Sequence, residues 1–326
     1  MRKTLRASMA GLLAGVLLST ATPGMAQQYP DKPLRLVLGF AAGGSNDVVA
    51  RIVAAKAGEL LGQPVVVENR PGANGVIATD LVANAQPDGY TLLLGSASTL
   101  AINPYTMAEI RYDPLRDFVG IGTVAMTPEV IAISPSVPAQ TLEELVRLAG
   151  KQDVTMASSG TGGLPHLAIE LFKTATKANV THVPYKGGAP AATDVVAGHV
   201  DAIIMDLPPL RSFIESGRMR GLAVASKQRS PALPGLPTTA EAGLPEVTAS
   251  NWFAVVAPKG TPAAIADQLH AAFTQAANDP GTVRQLAEAG IEPMTNPTRA
   301  DFRKFLQDEL QRWKGVATQA GVAVQK

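Results

Sequence analysis

Residues 34–51 read LRLVLGFAAGGSNDVVAR, a run of β-branched and alternating apolar residues that ends in a Gly-Gly turn. Ser45 follows the turn at a position typical of a helix N-cap, and apolar residues then recur at helical spacing. A strand that passes through glycines into a helix leaves unpaired backbone N–H groups beside the positive end of the helix dipole. Because Gly43 and Gly44 have no Cβ, a ligand can approach the backbone closely. The stretch therefore predicts an anion site built without a charged side chain.

Three more segments repeat the pattern of a strand that ends in small residues. They are YTLLLGSAST at 90–99, VTMASSGTGG at 154–163 and VTHVPYKGGAP at 180–190. The carboxyl ends of strands in open α/β sheets meet at one edge, so we expect these loops to line a shared pocket. The candidate ligand-binding residues are Phe40, Ala42, Gly43, Gly44, Ser45, Asn46, Asp47, Ser96, Ser98, Thr99, Ser159, Gly160, Thr161, Gly162, His166, Lys186, Gly187, Gly188, Ala189 and Asp206.

Strand-like and helical patterns alternate along most of the chain, which favours an α/β fold with mostly parallel sheets and right-handed crossovers. The C-terminal part is mainly helical. The strand-like runs are 34–40, 64–69, 91–95, 130–134, 153–158, 180–185, 200–205 and 220–225. The helical patterns are 46–61, 76–85, 141–150, 165–176, 189–197, 208–217, 261–279, 281–289 and 298–319.

Several sequence blocks follow one another at the order and spacing of a known protein family. They are FAAGGSNDVVAR (40–51), VVVENRPGANG (65–75), QPDGYTLLLGSASTLAINP (86–104), YDPLRDF (112–118), ASSGTGG (157–163), HVPYKGGAPAATDVVAGHVD (182–201), RSPALPGLPTTAEAGLP (229–245) and APKGTP (257–262). With them the chain, from about Pro33 onward, resembles the tripartite tricarboxylate transporter receptors, or Bug-type periplasmic solute-binding proteins. Ala42 and Ala254 depart from the Pro and Gly common in that family, and neither change removes a polar group.

The resemblance implies the two-domain type II periplasmic-binding fold, often called a Venus flytrap. The first domain would be discontinuous, 30–126 plus 252–326, and the second would comprise 127–251. The chain would cross between them near 122–132 and 248–258, with the ligand cleft between the domains. The family also implies a monomeric receptor that closes over a small organic acid and delivers it to membrane transporter subunits, without catalysis and without a cofactor.

The N-terminus has the pattern of a secretory signal peptide, residues 1–26. Three basic residues among the first six precede a short apolar run at 9–18, and small residues stand at positions 24 and 26. This pattern predicts export through the Sec pathway, cleavage after Ala26 and a periplasmic protein. The apolar run is shorter than the roughly 20 residues that span a bilayer.

Composition excludes several other classes of function. The chain has no cysteine, which excludes disulfides, thiolate catalysis and cysteine-ligated metals. None of its four histidines is spaced as a metal-binding pair, so we expect no metal site. Removal of residues 1–26 takes away three basic and no acidic residues, which leaves a net charge of −2. There is no basic stripe and aromatic residues are few, so no nucleic acid is expected as a partner.

Three polar residues allow both a structural and a functional interpretation, and a fourth, His182, is expected to be structural. Asp47 could form an i,i+4 ion pair with Arg51, or order water near the ligand, and a direct contact to a carboxylate is disfavoured by charge. Lys186 could screen a ligand carboxylate or lie solvated in its turn. Asp206 could line the cleft or cap the helix that follows it. His182, which alternates with apolar neighbours, is expected to be a hydrogen-bonded, partly buried histidine.

Two alternatives to the receptor remain open. Ser159 and His166, with Asp206, could form the nucleophile, base and acid of a periplasmic hydrolase, although the segment lacks the G-x-S-x-G nucleophile elbow. The same fold could instead sense a ligand for a membrane signalling protein. A site built from backbone donors has few side chains that could identify its ligand, so the sequence does not specify which acid is bound.

Overall fold

The computed structural model describes residues 29–324. The predicted signal peptide and its cleavage after Ala26 lie outside the described residues. Within residues 29–324, no helix combines the length and apolarity needed to cross a bilayer.

Helices and strands alternate through the first two thirds of the described chain, as the pattern predicts. The strands are β1 (Leu34–Leu38), β2 (Val65–Asn69), β3 (Thr91–Ser96), β4 (Phe118–Ile133), β5 (Val154–Ser158), β6 (Val180–Pro184), β7 (Ala202–Asp206), β8 (Arg220–Val224), β9 (Ser250–Pro258) and β10 (Glu292–Pro293). The helices are α1 (Ser45–Leu61), α2 (Val76–Ala83), α3 (Asn103–Thr106), α4 (Leu142–Ala149), α5 (Leu164–Thr176), α6 (Gly188–Ala197), α7 (Arg211–Glu215), α8 (Ala263–Asn278), α9 (Pro280–Glu288) and α10 (Arg299–Gln319). Short turns of 3₁₀ and π helix cover 73–75 and 98–102.

The strands form a continuous curled sheet in the order β2-β1-β3-β9-β4-β7-β5-β6, with β8 and β10 also paired to β4. At one end β1 pairs parallel with β2 and β3. At the other end β5 pairs parallel with β6 and β7. Helical crossovers join the parallel strands of each group, which places the carboxyl ends of the strands in each group at a common edge.

Strand β4 joins the two groups, because its two halves have different partners. Residues 118–128 pair antiparallel with β9, and residues 129–133 pair antiparallel with β7 and β8. The antiparallel pairing and the full length of β4 are additions to the predicted pattern, which marked only 130–134 as strand. Gly120, Gly122 and Pro128 interrupt the apolar run, and the β4–β9 ladder shifts register twice, between Gly120 and Gly122 and between Thr123 and Ala125.

Helix α1, which follows the Gly43-Gly44 turn, is fixed by apolar packing. Val49 and Val53, both fully buried, share one hydrophobic cluster with Leu36 of β1 and Phe273 of α8. Burying each such side chain contributes about 1.5–3 kcal/mol, so this face of α1 is firmly held against the sheet. The loop before α1 is therefore presented from a rigid support.

Two local predictions need correction. Helix α1 begins at Ser45 and its N-cap is Gly44, so Ser45 is the first helical residue and not the cap. The helix predicted over 208–217 covers only Arg211–Glu215, because residues 207–210 form a separate turn in which Leu210 donates to the carbonyl of Leu207.

A shared carboxylate links the crossing strand β9 to the C-terminal helix. Glu309 Oε2 accepts the indole N–H of Trp252 at 2.7 Å and that of Trp313 at 3.0 Å. Both indoles are buried, 3% and 0% exposed. A buried N–H without a partner is costly, so Glu309 satisfies two donors that the core could not otherwise contain.

We expect Glu309→Ala to lower the free energy of unfolding by about 2–4 kcal/mol, because it leaves two buried indole N–H groups unpaired. Urea denaturation measures the loss. Asp308→Ala is the matched control on the same helix. Asp308 is 65% exposed and, within residues 29–324, pairs only with Lys304, so its loss should stay within about 0.5 kcal/mol. Equal effects of the two variants would contradict this role of Glu309.

Candidate functional site

The loop before α1 is held by the carboxylate of Asp47. Gly43 has φ +84°, and its N–H donates to Asp47 Oδ2 at 3.0 Å. Arg51 Nε donates to the same oxygen at 3.0 Å, and Asn69 Nδ2 donates to Asp47 Oδ1 at 3.0 Å and to the carbonyl of Phe40 at 3.1 Å. Asp47 is 5% exposed, and its acceptor positions are used within the protein.

The same contacts set the charge of Asp47. Burial acts to raise the pKa of this carboxyl, but the hydrogen bonds from Arg51, Gly43 and Asn69 outweigh it and hold the pKa below its ordinary value. The residue is thus an ionised organiser of the loop. Of the interpretations that the sequence allowed for Asp47, the structure shows the i,i+4 ion pair with Arg51.

The start of α1 has no side-chain cap. Its N-cap is Gly44, with φ −84° and ψ 171°, and no side chain among the described residues accepts from the first turn. Helices α4, α9 and α10 differ, since Thr141, Asp279 and Thr298 cap them through side-chain oxygens. The N–H groups at the start of α1 therefore remain available to an anion, and they lie at the positive end of a 17-residue helix.

The second glycine loop, residues 158–163, leads into α5 and contacts the first group of elements. The N–H of Leu164 donates to Ser98 Oγ at 3.0 Å, and Thr106 Oγ1 donates to the carbonyl of Gly162 at 2.8 Å. Residues from two distant parts of the sequence are thus brought together here, as the predicted shared pocket requires. Ser159 and Gly160 are partly exposed and Thr161 is exposed at the tip of the loop.

Two histidines stack beneath this loop. The rings of His166 and His182 lie 4.1 Å apart at 17°. His166 Nδ1 accepts the N–H of Gly162 at 3.1 Å, and His182 Nε2 lies 2.6 Å from Ser158 Oγ. His182 is thus a hydrogen-bonded, partly buried residue, as predicted. Burial lowers the pKa of both rings, that of His182 to about 4.

The described residues do not form the Ser159–His166 contact that the hydrolase alternative requires. Among the described residues Ser159 forms no hydrogen bond to His166, whose Nδ1 is used by the backbone of Gly162. The serine that does contact a histidine is Ser158, and it is fully buried. A buried hydroxyl that also donates to the carbonyl of Gly160 is a structural link within the loop.

The third glycine loop leads into α6. Gly187, with φ +116°, is the N-cap of this helix and supplies no side-chain cap. Lys186 and Ala189 are exposed, and Gly188 packs closely enough on Met205 that a Cβ would lie 2.7 Å from its sulfur. The loop therefore offers backbone N–H groups and an exposed lysine on the side of the second group of strands.

The remaining candidates lie at strand ends and are mostly buried. Thr99 Oγ1 accepts the N–H of Ser96 at 2.8 Å and so shapes the turn after β3. Phe40 is partly exposed and Ala42 is exposed in the loop before α1. Asp206, at the end of β7, accepts a hydrogen bond from Asn251 Nδ2 at 3.3 Å, and the Ser45 side chain is close enough to act to lower the pKa of its carboxyl. Asp206 thus meets the start of α1, and burial raises its pKa.

Three residues near these loops were not among the predicted site residues. Asn74, with φ +51°, donates to Asn103 Oδ1 at 2.7 Å and lies against Gly163. Asn251 contacts Asp206, and Glu129 is fully buried on the strand beside it. The sequence shows that Glu129 is an acid within the apolar run of β4, but it does not show that Asp206 lies opposite. In residues 29–324 no group of three or more His, Cys, Asp or Glu side chains is placed to hold a metal ion.

The low pKa of His182 predicts a pH effect on stability. Above the unfolded value of about 6.5 the imidazole is neutral in both states and contributes nothing. As the pH falls from about 6.5 toward 4, the unfolded ring takes up a proton that the folded ring does not, so stability is lost. We expect wild type to lose about 1–2 kcal/mol relative to His182→Gln between pH 7 and 4.5, after allowance for partial exposure. Parallel urea-unfolding profiles over this range would contradict the prediction.

Comparison with known proteins shows the family to which the chain is similar. The family model for the tripartite tricarboxylate transporter family receptor matches residues 49–322. Protein BugT of Bordetella pertussis is 40% identical over 322 residues, which cover 96% of this chain and 98% of BugT.

Solved structures show the same architecture. The periplasmic binding protein BugD has a TM-score of 0.84 at 34% identity, covering 91% of this chain and 100% of that chain. R. palustris Rpa4515, solved with adipate, has a TM-score of 0.85 at 36% identity, covering 90% of this chain and 99% of that chain. These structures confirm the predicted two-domain type II periplasmic-binding fold. The chain belongs to the tripartite tricarboxylate transporter receptor family.

Proposed function

We propose that this protein is a periplasmic receptor that binds a small organic acid between two domains. The observation that carries the proposal is the uncapped N-terminus of α1 behind Gly43 and Gly44. Backbone N–H groups there lie beside the positive end of a helix that is firmly packed, and a carboxylate fits this site chemically. The adipate of Rpa4515 is a carboxylate bound by a relative, which supports the same class of ligand here.

The proposed domains are 30–126 plus 252–326, and 127–251, with β4 and β9 as the segments that cross between them. The packing of α8 against α1 and β4 supports placing the C-terminal helices with the first domain. Closure over a ligand by hinge motion requires that the ligand bind the closed state better than the open one. The hydrogen bonds from Leu164 to Ser98 and from Thr106 to Gly162 join the two proposed domains and would stabilise the closed state.

The ligand contacts that we propose are mostly backbone groups of three glycine loops, with side chains as a smaller part. The first domain would contribute loop 40–47 and segment 96–99, and the second would contribute 159–162, His166, 186–189 and Asp206. Asp47 and Thr99 act through the backbone they hold, since their polar atoms are already bonded.

The family supports a proposed location and a proposed partner. We propose that the chain is exported through the Sec pathway, is cleaved after Ala26, and works as a monomer in the periplasm. Delivery of the ligand to tripartite transporter subunits in the membrane is supported by the family description. The role is binding without catalysis, and the loop geometry of Ser158, Ser159 and His166 supports this.

A carboxylate built into the protein tests the anion site. Gly44 has backbone angles that any residue adopts at an N-cap, and a Cβ there would lie 3.7 Å from its nearest neighbour, the carbonyl of Ala41. Gly44→Asp should therefore cap α1 and preserve or slightly raise stability. Its carboxylate would occupy the site, so we expect the Kd for the bound acid to rise at least 100-fold.

The measurement is a thermal-shift screen of refolded mature protein against organic acids, followed by calorimetric titration of the acids that bind. Ligand at about 100 times its Kd should add about 2.7 kcal/mol of stability. Gly44→Asn is the matched control, because it caps the helix without charge and should weaken binding less than Asp does. Unchanged affinity in Gly44→Asp would rule out this anion site.

A further inference from the structure

Buried oxygen atoms without hydrogen-bond partners are concentrated on the segments that meet between the two domains. Within residues 29–324 the buried side-chain atoms that lack a partner are all oxygens: Asn46 Oδ1, Ser96 Oγ, Glu129 Oε1, Glu129 Oε2 and Asn251 Oδ1. They lie on the first turn of α1, the end of β3, and the crossing strands β4 and β9. Buried polar groups in folded proteins are almost always paired, so this concentration calls for a donor.

Strand register and a hydrogen bond bring two of these residues, Glu129 and Asn251, to Asp206. Glu129 is the direct cross-strand partner of Asp206 in the β4–β7 ladder. Asn251 donates to Asp206 at 3.3 Å, and the side chain of Ser45 is close enough to Asp206 to act to lower the pKa of its carboxyl. Side chains of direct cross-strand partners lie on the same face, about 5 Å apart at Cβ. Glu129 and Asp206 thus form an acid pair directly behind the start of α1.

The acid pair has no cationic side chain to balance it. Among the described residues, no lysine, arginine or histidine forms an ion pair with Glu129 or Asp206. Glu129 is 0% exposed, and burial together with the charge of Asp206 raises the pKa of its carboxyl well above the ordinary value. A fully buried, unpaired acid in an apolar strand costs stability, and that cost is recovered when a charged donor binds.

We propose that Glu129 and Asp206 receive the ammonium group of a ligand whose carboxylate lies at the N-terminus of α1. This inference rests on the proposed function and narrows it to amino-carboxylates, such as amino acids. An ammonium group carries three N–H donors on a compact charge, which suits several acceptor oxygens converging from different strands. Asn251, whose Nδ2 donates to Asp206, carries a further buried oxygen, Oδ1, that has no partner.

The arrangement also discriminates against other acids. A second ligand carboxylate placed at the acid pair would meet two carboxyl groups and no donor of opposite charge. A dicarboxylate would therefore bind through the α1 site alone, or with its far end turned away. The expected selectivity is for the amino member of any pair of acids that differ only by an amino group.

Matched ligand pairs test the inference by calorimetric titration of refolded mature protein. The probes are succinate against L-aspartate, glutarate against L-glutamate, and butyrate against 4-aminobutyrate. We expect wild type to bind the amino member at least tenfold more tightly in one or more pairs. Glu129→Gln should remove most of that preference while changing the affinity for the unsubstituted acid less than threefold.

Two controls separate recognition from folding. The thermal midpoint of ligand-free Glu129→Gln should equal or exceed that of wild type, because a buried carboxyl without a partner is replaced by a neutral amide of the same shape. Asp201→Asn removes an equal charge at the opposite end of β7, where Asp201 accepts from Thr155. We expect Asp201→Asn to keep the wild-type preference.

Each contrary result has a distinct meaning. Tight binding of unsubstituted acids with no amino preference, unchanged in Glu129→Gln, would overturn this inference and leave the proposed receptor intact. Stabilisation by Na⁺, K⁺ or Ca²⁺ alone that disappears in Glu129→Gln would overturn it in favour of a resident metal ion. If no acid of either kind binds, both this inference and the proposed function fail.

Discussion

The carboxylate of Asp47 is the constraint on which the candidate site depends. It accepts the N–H of Gly43 and is charge-balanced by Arg51, so the loop before α1 is folded back onto its own helix. A carboxylate within the first helical turn could have folded back to cap that turn, and here it is directed to the preceding loop. The helix start therefore stays uncapped although an acid lies within it. Apolar packing of Val49 and Val53 holds the whole assembly against the sheet.

Strands β4 and β9 link this site to the second half of the molecule. Both strands lie in the middle of the sheet. Strand β4 contains Thr127 in the part that pairs with β9 and Glu129 in the part that pairs with β7. Asp206 of β7 lies near Ser45 of α1. Loop 158–163 and the start of α5 form hydrogen bonds with Ser98 and Thr106. Elements distant in sequence thus converge on one region between the proposed domains. A ligand there would contact both halves at once, which is the condition for closure to depend on binding.

Local patterns in the sequence predicted much of this arrangement. The glycine turns, the strand–helix alternation and most helix bounds follow from short-range signals, and the family blocks supplied the two-domain fold. The N-cap of α1 was misassigned because Ser45 has the typical cap chemistry, whereas the backbone turns one residue earlier at Gly44. The pairing of Glu129 with Asp206 could not be read from sequence, since it depends on antiparallel register between strands separated by more than 70 residues.

The central claim is that backbone N–H groups at the start of α1 hold a carboxylate. A crystal structure of the mature protein with its tightest-binding acid tests this most directly. Our account predicts ligand carboxylate oxygens within about 3.2 Å of backbone nitrogens in residues 43–47, with Asp47 still bonded to Gly43. A ligand carboxylate held instead by lysine or arginine side chains, with the start of α1 out of contact, would contradict it.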